Sequence, residues 1–429
     1  MKHPSLNRRR FLKTLAVAGS ALAAPTLIPG HVLGLDGEIA PSEKIVMGGI
    51  GIGGRGGEDL RVLLQEKTAK FIAIANVLKT RRQQVKGIVD AFYNNTDCAM
   101  YWDMFELLDR PDIDAVLITL GDRWHTMASI TAAKAGKDIY CEKPLSLTIQ
   151  ESRAVADAMK RYGRVFQAGT QRRNIRNFQI AANIAHSGKL GKLTEVHANT
   201  LHPATHHNWL PAQPEPDKDD FVWNRWLGPC PWRPYNASYI NGWHGYYDWH
   251  GGGILEWGTH TVDLCQWANQ SDDTVPVEYW PIIDAQGNKG SENHALYANG
   301  VKLIMRDQGW LGLGTCSARY VGEEGFVETG DSGRMHVSND ALRSDIKYIP
   351  MAGTDPVNHI REFLECVKTR RDPASNARVA ANAHIASHCA YIAWQLGRKV
   401  KFDPQTETFP GDEEANRMIS RATRDDWRF

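Results

Sequence analysis

The feature that most constrains the fold is a short apolar run that ends in glycines. Residues 44–51 read KIVMGGIG, which is typical of a buried strand, and Gly51, Gly53 and Gly56 then give the spacing G-x-G-x-x-G before a helical segment from residue 58. A strand, a glycine turn and a helix in this order favour a dinucleotide-binding βαβ unit. The first glycine allows the tight turn, the second lets a pyrophosphate approach the backbone, and the third lets helix and strand pack closely.

Strands and helices continue to alternate as far as residue 170. We expect strands at 71–75, 114–120, 138–141 and 165–169, and helices at 127–136 and 151–162. This alternation predicts an α/β fold with a doubly wound parallel Rossmann sheet. Ligands bind such sheets at the carboxyl ends of the strands. Asn76, the segment Gly121 to His125 and the segment Glu142 to Pro144 follow three of those ends.

The pattern changes after residue 170. Helices are expected at 180–188, 358–368 and 379–396, strands at 193–201, 295–306, 309–318 and 325–337, and a long irregular stretch at 202–251. These elements predict an α+β domain with a large open, mainly antiparallel sheet. One face of such a sheet is left bare, so we expect a homodimer or homotetramer. The predicted divisions are 1–35 (leader and linker), 36–170 (Rossmann domain) and 171–429 (substrate and oligomerisation domain).

The N-terminus resembles an export signal. Residues 8–13 read RRRFLK and an apolar run follows, with small residues at Ala21 and Ala23. The paired Arg8 and Arg9 are typical of a twin-arginine signal, so the export machinery is a predicted partner and the location is periplasmic or otherwise exported. A basic amphipathic tail and an uncleaved anchor are the alternatives. The run is short for a spanning helix, so we expect no stable membrane insertion.

The charge balance argues against nucleic acid as a partner. Lys and Arg together number 50 and Asp and Glu 49, which leaves no basic footprint. The seven cysteines are widely spaced and include no C-x-x-C, so neither a disulfide scaffold nor a cysteine zinc site is expected. His202, His206 and His207 stand beside Pro203, which disfavours the helix that an i, i+4 ligand pair needs, and no metal site is predicted.

The segment 251–263, GGGILEWGTHTVD, carries an acid and a histidine four residues apart. On a helix, Glu256 and His260 would lie on one face. On the spacing alone, a buried histidine in a structural salt bridge explains this pair better than catalysis does. Asp263 is expected to be structural.

Taken with four other motifs, this segment resembles the Gfo/Idh/MocA family of oxidoreductases. The motifs are IGIGGRG at 50–56, CEKP at 141–144, GTQRR at 169–173, SGKLGKL at 187–193 and GGGILEWGTHTVD at 251–263. The resemblance extends over nearly the whole chain after the leader. It implies a Rossmann domain, a C-terminal α/β domain with a large open sheet, and NAD(P) between them. In the family a lysine, an acid and a histidine of these motifs face the substrate; they correspond to Lys143, Glu256 and His260, with Glu where Asp is usual.

The chemistry of alcohol oxidation suits these three residues. We predict His260 as general base, Lys143 as alkoxide stabiliser and proton relay, and Glu256 as an orienting or substrate-binding acid. The cofactor is predicted to be NAD or NADP, tightly bound, because free nucleotide is scarce outside the cytoplasm. Asn76 stands where NAD-preferring sites usually carry an acid, and Lys79, Arg81 and Arg82 could pair with a 2′-phosphate. The predicted cofactor-binding residues are Gly51, Ile52, Gly53, Gly54, Arg55, Gly56, Asn76, Lys79, Thr119, Trp124, His125, Glu142, Lys143 and Gln171.

A carbohydrate is the predicted small-molecule substrate. Fourteen tryptophans are many, and several fall between residues 209 and 267, where aromatic rings could pack on the C–H face of a sugar. The alternative is a packed loop held by its aromatic side chains. The predicted substrate-binding residues are Arg173, His206, Trp209, Trp232, Arg233, Tyr235 and Trp243.

Two further functions remain open on the sequence. One is a redox-neutral glycoside hydrolase, which would oxidise C3 transiently, eliminate the aglycone, add water and reduce the sugar again. The other is a sugar-binding or sensor protein without catalysis. The presence of Lys143, Glu256 and His260 favours an oxidoreductase acting on a sugar or glycoside hydroxyl.

Overall fold

The computed structural model describes residues 39–307, 309–345, 356–424 and 427. The predicted export signal lies outside these residues. From Ile45 onward the chain forms one compact unit, and Pro41–Glu43 form a 3₁₀ turn in the unit before it. The first sheet has the strands β1 (Ile45–Ile50), β2 (Ala69–Ala75), β3 (Ala99–Tyr101), β4 (Ala115–Ile118), β5 (Asp138–Cys141) and β6 (Phe166–Ala168).

These six strands pair in parallel in the order β3-β2-β1-β4-β5-β6. Strands such as β4 and β5 are buried along their whole length, as expected when helices cover both faces of a parallel sheet. The helices are α1 (Gly54–Gln65), α2 (Lys79–Tyr93), α3 (Met104–Leu108), α4 (Asp122–Lys134) and α5 (Ile149–Tyr162). The predicted Rossmann fold is confirmed. Helix α4 begins at residue 122 rather than 127, so the segment 122–125 is helical.

The second sheet has eight strands in the order β13-β12-β11-β7-β10-β9-β8-β14. Only β7 and β10 pair in parallel among these neighbours, so the sheet is mainly antiparallel, as predicted. The strands are β7 (Leu193–Thr200), β8 (Glu278–Ile283), β9 (Lys289–Leu296), β10 (Lys302–Asp307), β11 (Ala318–Gly322), β12 (Gly325–Thr329), β13 (Met335–Val337) and β14 (Val400–Lys401).

The remaining helices pack beside or between the two sheets. They are α6 (Arg176–His186), α7 (Trp223–Leu227), α8 (Ala237–Gly242), α9 (Gly253–Glu256), α10 (Gly258–Ala268), α11 (Val357–Thr369), α12 (Ala377–Leu396) and α13 (Glu413–Asn416). Helix α12 is buried along most of its length and contacts both α5 and the second sheet. Helix α11 packs on the first sheet, where Phe363 meets the ring of Tyr140 on β5 at 5.9 Å. The C-terminal part of the chain therefore supports both sheets.

Three strand predictions differ from the structure. The segment 295–306 is not one strand, because a turn at residues 297–301 separates β9 from β10. Residues 309–317 form turns and β11 begins only at Ala318, because Gly309, Gly312 and Gly314 have φ values of +95°, +63° and +98°. The segment 325–337 is two strands, since a turn separates β12 from β13. The strand β8 and the edge strand β14 beside it were not predicted at all. Over the described residues, no helix has the length and apolar character needed to cross a membrane.

Candidate active site

A cavity of about 690 Å³ opens at the carboxyl edge of the first sheet. On one side it is lined by the glycine turn after β1, by Asn76 after β2 and by the loops after β4 and β5. On the other side it is lined by Trp243, His244 and the α9–α10 segment. The cavity therefore lies where a doubly wound sheet binds its ligand, with the second half of the chain closing it.

The glycine turn is shaped for a phosphate group. Gly51 has φ +78°, and a Cβ there would lie 2.2 Å from Leu120 Cδ2. A Cβ on Gly56 would lie 2.2 Å from Thr119 Oγ1, so α1 and β4 can approach only because this residue is glycine. A Cβ on Gly54, where α1 begins, would meet nothing within 4 Å. The first residues of α1 also line the cavity, so the positive end of this helix is open to an anion.

Buried polar atoms without partners also indicate a ligand. Thr119 Oγ1 and Gln171 Oε1 line the cavity, are shielded from solvent and have no hydrogen-bond partner among the described residues. Such groups usually have a partner, because an unpaired buried polar atom costs about 1–3 kcal/mol. The residues around the glycine turn therefore fit a dinucleotide.

Near Asn76, the cationic residues 79, 81 and 82 differ in whether their side chains are available to a 2′-phosphate on the ribose. Asn76 lines the cavity, and its Oδ1 accepts a hydrogen bond from Leu78 N at 3.0 Å. Lys79 does not line the cavity, and its Nζ forms an ion pair with Asp220 Oδ1 at 3.0 Å. Arg82 donates to Asn76 O at 2.5 Å and so supports the backbone. Arg81 lines the cavity, and its side chain bonds only to Gln84 among the described hydrogen bonds.

A segment of the second half contacts the first half beside the Asn76 end of the cavity. We call residues 219–226 the strap. It includes the start of α7 and is tied to the Rossmann half at three places: the start of α2, the residue before α3 and the start of α4. The contacts are Lys79 Nζ to Asp220 Oδ1 at 3.0 Å, Arg225 Nη2 to Asp103 Oδ2 at 2.9 Å, Arg123 Nε to Trp226 O at 2.6 Å and Trp124 Nε1 to Arg225 O at 2.9 Å. Of the strap, Arg225 and Trp226 line the cavity, so a ligand bound there could contact this part of it.

Lys143 and Glu256 form a direct pair at the other end. Lys143 Nζ lies 2.5 Å from Glu256 Oε1 and donates to Glu256 O at 3.2 Å. Both side chains line the cavity and are mostly buried. The loop after Lys143 is held by α12, because Leu145 N donates to His384 Nε2 at 2.8 Å. This contact fixes the position of the lysine relative to the second half of the chain.

His260 also lines the cavity, but its partner is an arginine. It is 2% exposed, and its Nε2 lies 2.9 Å from Nη1 of Arg172. Its Nδ1 has no hydrogen-bond partner among the described residues. Burial, followed by the positive charges of Arg172 and Lys143, holds the pKa of His260 well below its ordinary value. His260 is therefore a neutral imidazole.

The predicted helix through Glu256 and His260 is interrupted. Helix α9 ends at Glu256 and α10 begins at Gly258, with Trp257 between them. Glu256 points to Lys143, whereas His260 contacts Arg172, so Glu256 does not orient His260. Both side chains still reach the same cavity.

Behind the glycine turn, Arg55 connects two buried acids. Its Nη2 lies 3.0 Å from Asp59 Oδ1, and its Nε lies 3.5 Å from Glu142 Oε1. Burial and the neighbouring Glu142 raise the pKa of Asp59 to about 8. Glu142 also accepts a hydrogen bond from Lys143 N at 3.1 Å. Glu142 therefore connects the glycine turn to the lysine loop.

Most of the predicted cofactor-binding residues line this one cavity. Those that do are Gly51, Ile52, Gly53, Gly54, Arg55, Gly56, Asn76, Thr119, Trp124, Glu142, Lys143 and Gln171. Lys79 and His125 are not among the lining residues. His125 is buried, and its Nδ1 lies 2.6 Å from the carbonyl oxygen of Pro144, so it supports the lysine loop from behind.

The structure does not bring most of the predicted substrate-binding residues to the cavity. Of that set, only Trp243 lines it. Trp209 and Trp232 are 62% and 58% exposed and lie elsewhere. The side chain of His206 packs against Tyr246, with ring centroids 4.2 Å apart.

Three others are buried for structural reasons. Arg173 donates to Asp263 and Asp272 at 2.7–2.8 Å. Asp263 thus accepts hydrogen bonds from a buried arginine, in agreement with the structural role expected for it. Arg233 pairs with Asp248 at 2.7 Å. Tyr235 packs in the aromatic cluster of the 202–251 stretch. This stretch is a packed loop as well as a wall of the cavity.

Sequence reasoning missed several groups near the site. Arg172 was overlooked in favour of its neighbour Arg173. His244 lines the cavity and stacks on Trp243, with ring centroids 3.7 Å apart. Asp122 lines the cavity too, and its Oδ2 lies 2.6 Å from His250 Nδ1. Adjacent arginines and scattered histidines carry no local signal that tells which of them reaches a site.

Comparisons with known proteins agree with this geometry. Residues 44–170 match the family described as "Oxidoreductase family, NAD-binding Rossmann fold", and residues 204–429 match "Oxidoreductase family, C-terminal alpha/beta domain". Inositol 2-dehydrogenase of Pseudomonas fluorescens (strain SBW25) is 28% identical over 168 residues, or 39% of this chain and 48% of the relative. The scyllo-inositol 2-dehydrogenase (NAD(+)) of Bacillus subtilis (strain 168) is 34% identical over 129 residues, 29% of this chain and 34% of the relative. These alignments span about half or less of the length of the relatives.

Solved structures show the same fold at low sequence identity. Scyllo-inositol dehydrogenase from Lactobacillus casei, with bound NAD(H) and scyllo-inositol, matches 83% of this chain and 99% of its own, with a TM-score of 0.59 and 17% identity. Aldose-aldose oxidoreductase from Caulobacter crescentus, complexed with glycerol, matches 84% and 100%, with a TM-score of 0.57 and 17% identity. With both domain families matched in order along it, this chain belongs to the Gfo/Idh/MocA oxidoreductase family.

Proposed function

We propose that this protein is a nicotinamide-dependent oxidoreductase that acts on a hydroxyl group of a sugar or cyclic polyol. The observation that carries the proposal is a single cavity. It is lined at one end by the glycine turn of residues 51–56 and at the other by Lys143, Glu256 and His260. A dinucleotide along this cavity would place its reactive ring near three groups that can bind or move a proton.

The three groups have complementary uses. When bound, a nicotinamide cofactor accepts the hydride that an alcohol carbon loses. Lys143 supplies positive charge for the developing alkoxide, and the Glu256 carboxylate holds the ammonium group 2.5 Å away. His260, as a neutral imidazole, can form a hydrogen bond with the reacting oxygen. Burial of the site strengthens each of these interactions.

The relatives and the walls of the cavity favour a polyol substrate. Two of the relatives are named as inositol dehydrogenases, which act on a ring of hydroxyl-bearing carbons. In this chain, Trp243 and Trp257 line the cavity, with the Trp257 ring 5.7 Å from Lys143 Nζ, and could pack on the C–H face of such a ring. The hydrolase alternative receives no support from these relatives, and we do not propose it.

The nucleotide form is the finer part of the proposal. We favour NAD, because the first half of the chain matches an NAD-binding family and a relative is named for NAD(+). Lys79 and Arg82 are engaged elsewhere, which leaves Arg81 as the cation available to a 2′-phosphate. Arg81→Ala should therefore lower affinity for NADP much more than for NAD.

We also propose that the nucleotide is held tightly. The strap would contact it, and release would require several contacts with the Rossmann half to open together. Arg225→Ala removes one of these contacts and should speed the dissociation of NADH, whereas Arg398→Ala, whose ion pair with Asp412 lies at the far C-terminus, should not. Equal rates in the two variants would contradict this role of the strap.

The proposal as a whole is tested on the purified wild-type protein. Mass spectrometry of released small molecules identifies any retained nucleotide. A panel of inositols, aldoses and glycosides, supplied with NAD or NADP, is then followed by the absorbance of the reduced cofactor. Nucleotide binding together with oxidation of at least one polyol supports the proposal. Failure to bind either nucleotide, or binding without turnover across the panel, refutes it and favours the sensor alternative.

Export and assembly remain proposals as well. We propose export through the twin-arginine route, on the residues 8–13, and a homo-oligomer that covers the outer face of the second sheet. Replacing Arg8 and Arg9 by lysine should keep the protein in the cytoplasm, as fractionation would measure. Light scattering of the purified protein gives the oligomeric state, and a monomer at micromolar concentration would contradict the second proposal.

A further inference from the structure

The contact between Arg172 and His260 has a consequence for the direction of proton transfer. A guanidinium group carries only donors and stays protonated. His260 Nε2, 2.9 Å from Arg172 Nη1, must therefore be the acceptor of that hydrogen bond. Because His260 is neutral, its single ring proton must then be on Nδ1.

Arg172 is itself held firmly in place. Its Nε and Nη2 donate to the two carboxylate oxygens of Asp331 at 3.1 and 2.8 Å. Asp331 also accepts a hydrogen bond from the hydroxyl of Thr315 at 2.6 Å. Arg172 and Asp331 are both buried, so water does not compete for the hydrogen bonds between them. Such bidentate geometry fixes the plane of the guanidinium and hence the atom that faces His260.

The free ring nitrogen of His260 is left for a ligand. Nδ1 is buried and has no hydrogen-bond partner among the described residues, while His260 lines the cavity with Lys143 and Glu256. To act as a base, Nδ1 would need its lone pair free and the proton on Nε2. That arrangement would point an N–H of His260 at an N–H of Arg172.

We propose that Asp331 and Arg172 are positioning residues that keep His260 in its Nδ1–H form. His260 then donates a hydrogen bond to the reacting oxygen. The proton of the substrate hydroxyl passes to Glu256, which is paired with Lys143. This inference rests on the proposed function. The alcohol carbon loses a hydride, with its electron pair, to the nicotinamide. The O–H bond breaks, its proton passes to the Glu256 carboxylate, and the C–O bond becomes a carbonyl. The Glu256 side chain is 26% exposed, so it can return the proton to solvent.

The tautomer can be measured without substrate or turnover. Protein labelled with ¹⁵N-histidine is recorded by long-range ¹H–¹⁵N correlation, and the His260 signals are those absent from the His260→Asn spectrum. We expect Nδ1 to show the shift of a protonated nitrogen and Nε2 that of an unprotonated one at neutral pH. A protonated Nε2 in the wild type would overturn the proposal, whatever the activity of the protein.

Three substitutions at residue 260 separate a donor from a base. The amide nitrogen of asparagine falls near the position of Nδ1, that of glutamine falls near Nε2, and alanine has neither. If Nδ1 is the donor, the kcat of His260→Asn should be roughly tenfold or more above that of His260→Ala. The kcat of His260→Gln should be closer to that of His260→Ala. Equal rates for Asn and Ala would contradict the donor role, since an amide cannot serve as a base.

A second pair of variants tests the positioning residues. Arg172→Lys keeps a donor for Nε2 and should keep the Nδ1–H signature, while Arg172→Met should lose it and lower kcat more than it changes KM. The groups that act on His260 electrostatically are Arg172, Lys143, Arg55 and His384. An unchanged histidine spectrum in folded Arg172→Met protein would show that Arg172 does not set the tautomer. If no polyol is oxidised by the wild type, the proposed function fails, but the spectrum still decides the tautomer.

Discussion

Replacing Gly56 by alanine tests the close approach of α1 to β4. The new Cβ would lie 2.2 Å from Thr119 Oγ1 and 2.8 Å from Thr119 Cβ, whereas ordinary contact begins at 3.4 Å. The start of α1 would have to move by about 1 Å, and overpacking of this kind costs typically 1–3 kcal/mol. Alanine returns up to about 1 kcal/mol of helix propensity. We expect a net loss of up to about 2 kcal/mol in stability.

The larger effect should fall on the nucleotide. A shift of about 1 Å moves the N–H groups of α1 away from the phosphates, and each 1.4 kcal/mol lost weakens binding about tenfold. We therefore expect the Kd for NAD to rise at least tenfold, as measured by calorimetry on nucleotide-free protein. Gly57→Ala is the matched control, because its Cβ would meet nothing within 4 Å. It should bind NAD normally and melt at the same or a higher temperature.

Wild-type NAD affinity and an unchanged melting temperature in Gly56→Ala would refute this reasoning. That result would mean that α1 can shift without moving its N-terminus from the phosphates, or that the nucleotide lies elsewhere. If Gly57→Ala were as impaired as Gly56→Ala, the cause would be the loss of glycine flexibility rather than the contact with Thr119.

Three further predictions concern the chemistry, the walls and the pH dependence. Lys143→Met should lower kcat by about 10²- to 10⁴-fold with little change in NAD affinity, and a variant within threefold of the wild type would exclude an electrostatic role. Trp232→Ala should leave KM within twofold, because this side chain is 58% exposed and outside the cavity, whereas Trp243→Ala should raise KM. The raised pKa of Asp59, about 8, means that the folded wild type holds a proton that the unfolded chain releases above its ordinary value near 3.8. Wild-type stability from this group is thus fully present below pH 3.8 and is lost as pH rises to about 8. The free energy of unfolding of Asp59→Asn, measured with denaturant, should therefore rise relative to that of the wild type by about 1 kcal/mol per pH unit between pH 5 and 7. A flat or opposite trend would show that Asp59 is ionised in the folded protein.

Local patterns were enough to predict the Rossmann half and its glycine turn. The spacing of Gly51, Gly53 and Gly56 acts over a few residues, and the strand–glycine–helix order leaves little choice of fold. Lys143 and the segment 251–263 also stand out locally, since each is a short motif with a charge where an apolar run would otherwise continue. The turns at 309–317 escaped prediction, because a run with enough apolar residues resembles a strand when the positive φ values of its glycines are unknown.

The sequence by itself thus determined the fold class, the glycine turn after β1 and three chemically active residues that line the same cavity. Only the tertiary structure decided how those residues are paired. Lys143 and Glu256 are 113 residues apart, and Arg172 and His260 are 88 apart, so no local period relates them. Whether Arg172 or Arg173 reaches the site depends on the acids that the second half places nearby. Burial makes these contacts necessary, because a buried guanidinium group is costly unless a carboxylate or an imidazole lies within hydrogen-bond distance.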